Sequence, residues 1–247
     1  MTRWLATLVG LIGGLLAPLA DAATYTLPGA LPPGCTGSGP AYTCPALSLG
    51  YNDVIVVNAP KPATLTINGN FSTNTSQINL AGTASDLNLV VNGQLTLGYQ
   101  ARLTANITAT SVNDAGGGNV IITGNLAANG GNISLAYQTK VSGNVSTSGT
   151  GTISTAQSGS IGGNLTGGSG SISISESGTV AGNVTGTGSI TVVQSATVSG
   201  SVSAGAGAVS LGYQAKVNGN LVTTGTISLG QGSRVGGTVS GLSLIHI

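Results

Sequence analysis

The sequence predicts an all-β fold of stacked coils, a single-stranded parallel β-helix (solenoid) with about 19 residues per coil. Three observations carry this. A short motif recurs at nearly constant spacing. Apolar and polar residues alternate in short runs. Gly, Ser, Thr and Val dominate, while strong helix formers are scarce. Right-handed winding is the expectation from strand twist.

The motif is hydrophobic-x-Gly-Asn-hydrophobic. It reads Val141-Ser-Gly-Asn-Val145, Ile161-Gly-Gly-Asn-Leu165, Val180-Ala-Gly-Asn-Val184 and Val217-Asn-Gly-Asn-Leu221, with looser copies starting at Leu103, Ile122, Val198 and Val235. Its centres fall at 105, 124, 143, 163, 182, 200, 219 and 237, so the step from one copy to the next is nearly constant. A second signal ends eight residues before most centres: Leu95-Thr-Leu97, Ile133-Ser-Leu135, Ile153-Ser-Thr155, Ile172-Ser-Ile174, Ile190-Thr-Val192, Val209-Ser-Leu211 and Ile227-Ser-Leu229. Period-two alternation puts these apolar residues on one face of a strand. Each repeat therefore holds two or three short strands joined by Gly-Ser-Thr turns. One unit buries no core; a stack of them does.

The elements follow in chain order. Residues 1–22 read as a secretory signal: Arg3 precedes an uncharged apolar run, Trp4 to Leu19, and Ala20-Asp21-Ala22 offers small residues where a signal peptidase cuts. The chain is thus expected to be exported, to the cell surface or extracellular space, with the periplasm as the alternative. No later stretch is apolar enough to span a membrane. Residues 23–60 read as an N-terminal cap, because an open solenoid end exposes unpaired strand edges. In an exported chain Cys35 and Cys44 are expected to form one disulfide across the turn-like Thr36–Pro40. Residues 61–241 read as the solenoid. Leu65–Phe71 and Leu89–Leu95 look like coils off the regular spacing, and Asn113–Gly118 reads as a loop replacing one strand signal. Residues 242–247 resemble the translated adapter tail that closes many assembled metagenomic reading frames, which would make His246 non-native; the alternative is a short final strand.

Stacking predicts columns. Arg102, Lys140, Lys216 and Arg234 stand three places before a centre, where other repeats carry Ser160, Thr179 and Thr197. This column is expected to face solvent, its polar members keeping the like charges apart. Gln100, Gln138, Gln157, Glu176, Gln194, Gln214 and Gln231 are expected to form a stacking ladder along the axis. Tyr99, Tyr137 and Tyr213 precede Gln in three repeats and join the basic residues in a surface column. Tyr51 reads as a degenerate copy.

Only 4% of residues are charged, against about 25% in an ordinary domain. Such a surface has no basic patch for nucleic acid. The acids outside the signal are Asp53, Asp86, Asp114 and Glu176. Glycoside hydrolysis asks for two carboxylates about 5 to 10 Å apart, and Asp114 and Glu176 are read as about three coils apart. Without the tail there is no histidine for a triad or a metal centre. Two thiols alone do not complete a zinc shell, and Gly116-Gly-Gly118 lacks the Lys of a phosphate loop. No catalytic residue, metal or cofactor is expected, and the chain is read as non-enzymatic.

Over residues 95–241 the Gly-Asn-Val/Leu repeat resembles the polymer-forming bactofilin type, whose β-helix has coils of similar length. That resemblance implies self-association through solenoid ends. The signal peptide departs from it, since bactofilins are usually cytoskeletal. The exported chain also looks like the N-terminal part of large secreted proteobacterial proteins of the MSHA-biogenesis or adhesin-like type, which implies further domains beyond Gly241. The reading is an exported structural or adhesin-like solenoid, a surface stalk or interaction module with a glycan or cell-surface ligand. A self-assembling filament is the alternative, and a carbohydrate-active β-helix ranks third.

Overall fold

The computed structural model describes residues 22–58 and 60–246. The expected secretory segment, save Ala22, lies outside the described residues. The chain winds as an all-β parallel solenoid with three strands in each coil. The first ladder has 11 strands, from Thr24–Leu27 to Arg234–Val235, which makes ten turns between its first and last strand. A second ladder runs from Ala41–Cys44 to Val239–Ser240, and a third from Leu47–Ser48 to Ser243–His246. The long strands Leu87–Leu97 and Asn106–Asp114 pass through the second and third ladders without a break in the chain. The one described helix is a single 3-10 turn, Ala84–Asp86.

From Arg102 onward the first ladder advances in nearly equal steps, its successive register partners being Arg102, Ile121, Lys140, Ser160, Thr179, Thr197, Lys216 and Arg234. Before it the coils are longer: the partners are Thr24, Val54, Gln77 and Arg102, and each of these steps exceeds every later one. Residues 23–60 therefore supply strands to all three ladders. Their capping element is narrower than the expected segment. Thr36–Ser38 pairs antiparallel with Ala41–Cys44 and covers the outer edge of the second ladder. Asn113 and Asp114, expected in a loop, are instead paired strand residues; Val112 supplies the inward apolar position opposite Leu95 and Ile133. The loop proper begins at Ala115. At the other end Ser243–His246 pairs with Thr226–Leu229.

The Gly-Asn motif forms the corner between the first and second ladders, and its chemistry explains the recurrence. Each coil rests directly on the one before. A Cβ on Gly143 would stand 2.5 Å from the carbonyl oxygen of Gly124, and one on Gly182 would stand 2.7 Å from that of Gly163. No side chain fits there. The Asn that follows bonds along the axis. Asn125 Oδ1 accepts the Asn144 N–H at 2.9 Å, Asn144 Oδ1 the Asn164 N–H at 2.8 Å, and Asn164 Oδ1 the Asn183 N–H at 2.8 Å. Asn106, Asn183 and Asn220 do the same, and Ser201 Oγ substitutes in its coil. A corner breaks the backbone ladder, so these amides receive a side-chain partner in its place.

Inward columns fill the core. Val141, Ile161, Val180 and Val198 stack on the first ladder, Val145, Leu165, Val184 and Val202 on the second, and Ile153, Ile172, Ile190 and Val209 on the third, all buried. Aliphatic β-branched side chains fit this pleated, repeated surface.

Two outcomes follow. Asn164→Ala removes the acceptor for the Asn183 amide and is expected to cost about 1 kcal/mol, seen as faster exchange of that amide and a lower urea midpoint. Asn164→Asp, which keeps an acceptor oxygen, is expected to restore most of the loss. The second concerns Asp86. Its Oδ2 accepts from Lys61 Nζ at 2.7 Å and from the Thr83 N–H at 2.9 Å. These bonds, the lysine's foremost, hold its carboxyl below the ordinary value. A folded pKa below the unfolded one gives stability that is present above the unfolded pKa and lost as pH falls through the folded value. Acidification below about pH 4 is thus expected to lower the protection of the Thr83 amide relative to its intrinsic exchange rate at the same pH, and Asp86→Asn to remove that pH step.

Candidate functional site

Apart from Leu242 and Ile245 at the far end of the stack, the most exposed large apolar and aromatic side chains gather at one edge, where the chain turns from the third ladder into the first. Tyr51 is 73% exposed, and Tyr99, Tyr137 and Tyr213 are 45 to 47% exposed. The turn explains this placement. In Gly98–Ala101 the Ala101 N–H donates to the Gly98 carbonyl at 3.1 Å, and Gln100 has φ 58°. Positive φ at the third residue is the pattern of a type II turn. The second residue, Tyr99, then sits at the tip and projects outward. Gln138, Ser158, Ser177, Ser195 and Gln214 hold the same left-handed position, with φ between 54° and 57°. Asn52 holds it beside Tyr51, with φ 59°. The residue after the turn faces inward and is small: Ala101, Ala196 and Ala215 are fully buried.

This geometry corrects the expected Gln ladder. Register across the turn pairs the Tyr137 position with Gln157, Glu176, Gln194, Tyr213 and Gln231 in successive coils. Gln138 and Gln214 belong instead to the left-handed column, with Ser158, Ser177, Ser195 and Gly232; Gln100 occupies the same place in its own coil. The seven residues split between two neighbouring columns, and no side-chain hydrogen bond joins any two of them among the described residues. Gln214 Nε2 donates to the adjacent Tyr213 Oη at 3.2 Å instead. The signal is present in the sequence: Gln100, Gln138 and Gln214 lie five places before a motif centre, and the other four residues lie six.

The basic residues do share one column. Pairing runs Arg102, Ile121, Lys140, Ser160, Thr179, Thr197, Lys216, Arg234 along the outer side of the first ladder. Lys216 and Arg234 are direct neighbours, so the expected polar spacing fails for that pair. Ile121, three places before the centre at 124, belongs to this column as well and is exposed between Arg102 and Lys140. In the Tyr-Gln repeats a cation follows three residues after the tyrosine: Arg102 after Tyr99, Lys140 after Tyr137, Lys216 after Tyr213. The turn brings each pair to one edge. A cavity of about 400 Å³ opens there, lined by Tyr51, Gln100, Arg102 and Asn119 among others. A second, of about 360 Å³, lies beside Gln214, Lys216 and Arg234.

The carboxylates serve the backbone. Asp53 is buried, accepting the Ala23 N–H at 2.8 Å and the Gly50 N–H at 2.6 Å. Asp114 is buried too, and its Oδ2 accepts the Ala136 N–H at 3.0 Å and the Thr139 hydroxyl at 2.5 Å. Asp114 shares an inward column with Leu135, Thr155 and Ile174, so Glu176 lies three coils further on, about 15 Å along the axis.

Cys35 and Cys44 are joined in a disulfide that brackets the capping hairpin. The class the fold defines is a parallel β-solenoid. A comparison with protein-family models found no match, and none was found among curated proteins or solved structures. The resemblances drawn from the repeat are accordingly carried by the sequence alone.

Replacing both cysteines by serine is expected to destabilise the capping hairpin by about 2 to 3 kcal/mol, the scale of closing a loop this short. Limited proteolysis would then cut between residues 28 and 45 while the coils beyond Arg102 resist. Unchanged protection of the hairpin would show that its strand pairing suffices.

Proposed function

We propose that this chain is an exported, right-handed β-solenoid that acts as a surface stalk or interaction module, with its Tyr and Arg/Lys edge as the contact surface. The observation that carries this reading is the pairing of exposed tyrosines with cations at one turn in several coils. Exposed aromatics stabilise no core, and a rod needs none of them to stack. Aromatic and arginine side chains are the groups enriched in recognition surfaces. The sparse charge elsewhere leaves this edge as the chemically distinctive strip. The adhesin-like resemblance of the sequence agrees with such a role.

Self-assembly into filaments of the bactofilin type is the second reading. The outer edges of Thr24–Leu27 and Leu47–Ser48, which pair on one side only among the described residues, favour it. The antiparallel hairpin over the second ladder weighs against stacking at that end.

Protease treatment of intact cells that express the full chain is expected to release fragments from residues 95–241. The same cells should adhere to glycan-coated surfaces more strongly than cells lacking the chain. Retention inside the cell would overturn the exported reading. Accessible protein with a blank glycan array and no adhesion would reduce the role to a stalk. Micrometre filaments of the purified chain would favour the second reading.

A further inference from the structure

We propose that the edge bearing Tyr51, Tyr99 and Tyr137 binds an extended, β-linked acidic polysaccharide with one carboxylate per disaccharide. This rests on the reading of that edge as an interaction surface and names its ligand class.

Periodicity is the first argument. The three tyrosines stand on alternate coils. Asn74 and Thr75 occupy the turn of the coil between Tyr51 and Tyr99, and Gly118 stands at the tyrosine position between Tyr99 and Tyr137. Gly118 has φ 100°, and a Cβ there would overlap the backbone of Tyr137. The gap between those rings is thus built into the backbone. Coils are about 4.8 Å apart, so the rings repeat every 10 Å or so. An extended β-linked glycan turns each sugar over relative to the last. Its like faces recur with the disaccharide, at about that same length. One tyrosine per two coils therefore meets the same face of every second ring.

Charge is the second argument. Arg102 and Lys140 also stand two coils apart, with Ile121 between them. Cation and aromatic share one period, which fits a single negative group per disaccharide. Neither Asp53 nor Asp114 presents a carboxylate at the surface of this edge. Asp53 is buried with both oxygens bonded to backbone amides, and Asp114 is buried behind the turn. Glu176 comes two coils after Tyr137 in the tyrosine column and closes the site with the opposite sign.

Surface shape is the third. The cavity beside Tyr51 and Arg102 is also lined by Asn52, Gln100 and Asn119, whose side-chain amides are of the kind that donate to and accept from sugar hydroxyls. From Tyr51 to Lys140 the site covers four coil steps, about 20 Å, or two disaccharides. A polymer with a carboxylate on every sugar, or with α-linkages that coil the chain, matches neither spacing.

Calorimetry on the full chain tests this with three probes: a hyaluronan hexasaccharide, cellohexaose and a hexagalacturonate. The hyaluronan fragment is expected to bind at least tenfold more tightly than the other two. Tyr99→Ala and Tyr137→Ala should each weaken it about three- to tenfold. Arg102→Gln and Lys140→Gln should weaken it and flatten its salt dependence. Lys61→Gln, which removes a positive charge elsewhere, should leave it unchanged. All these sites are exposed, and circular dichroism checks that the coils persist. Equal binding of hexagalacturonate, indifferent to the tyrosine variants, would reduce the effect to bulk charge attraction and overturn the proposal. Cellohexaose binding as tightly as the hyaluronan fragment would overturn the acidic ligand class while leaving the interaction surface standing. If no oligosaccharide binds but cells adhere, the ligand class fails alone; if neither occurs, the ligand class and the edge as a contact surface both fail, and the role is reduced to a stalk.

Discussion

Everything in this molecule depends on coils stacked in register through backbone hydrogen bonds, about 4.8 Å apart. That spacing turns each sequence position into a column whose members touch the same position above and below. A column must therefore hold residues that tolerate their own kind. Aliphatic side chains do so inside the core. At the corners, glycines rest carbonyl against backbone, and asparagines hand an acceptor oxygen to the next coil. Like charges tolerate it poorly, repelling by about 1 kcal/mol at that distance even in water, and in the cation column only Lys216 and Arg234 are direct neighbours. The low charge of the chain follows from its architecture. It says little by itself about where the protein works.

The turn into the first ladder shows the same constraint from the other side. Gln100, Gln138, Ser158, Ser177, Ser195 and Gln214 adopt left-handed backbone there, a conformation that costs roughly 1 kcal/mol or more for a residue with a side chain. The stack sustains it because the amide of the left-handed residue itself is bonded to the next coil: Gln138 N–H to the Gln157 carbonyl and Ser158 N–H to the Glu176 carbonyl, each at 3.0 Å. The result is a ridge whose tip residue is free of packing demands, and that tip is where the tyrosines stand.

Where the spacing is constant, the sequence shows the fold plainly. The Gly-Asn centres place the first corner in eight coils, and the cation column falls where the spacing puts it. Legibility fades wherever an insertion shifts a count. The first three coils, from Thr24 through Val54 and Gln77 to Arg102, are lengthened unequally, so their strands, although equally apolar, carry no period to recognise. Grouping the Gln residues by identity overlooks a one-residue shift that divides them between the tip and the left-handed position. Asn113 and Asp114 look like loop residues because polar residues precede three glycines; yet Val112 holds the core position, and Asp114 is buried with its carboxylate bonded to Ala136 and Thr139. The spacing also puts Ile121 in the cation column, three places before the centre at 124, but its apolar side chain reads as core until its register partners show that it faces out.

The tip column also separates structural need from other uses. Adjacent coils would place rings about 4.8 Å apart, within the range in which aromatic pairs attract each other. A column serving stability alone would gain by stacking tyrosine on tyrosine. This chain instead sets a glycine between Tyr99 and Tyr137, and its backbone admits no other residue there without rearrangement. The rings lose each other as partners and remain about half exposed. On the proposed reading, burying those side chains is worth most to a ligand from outside whose repeat matches two coils of the rod.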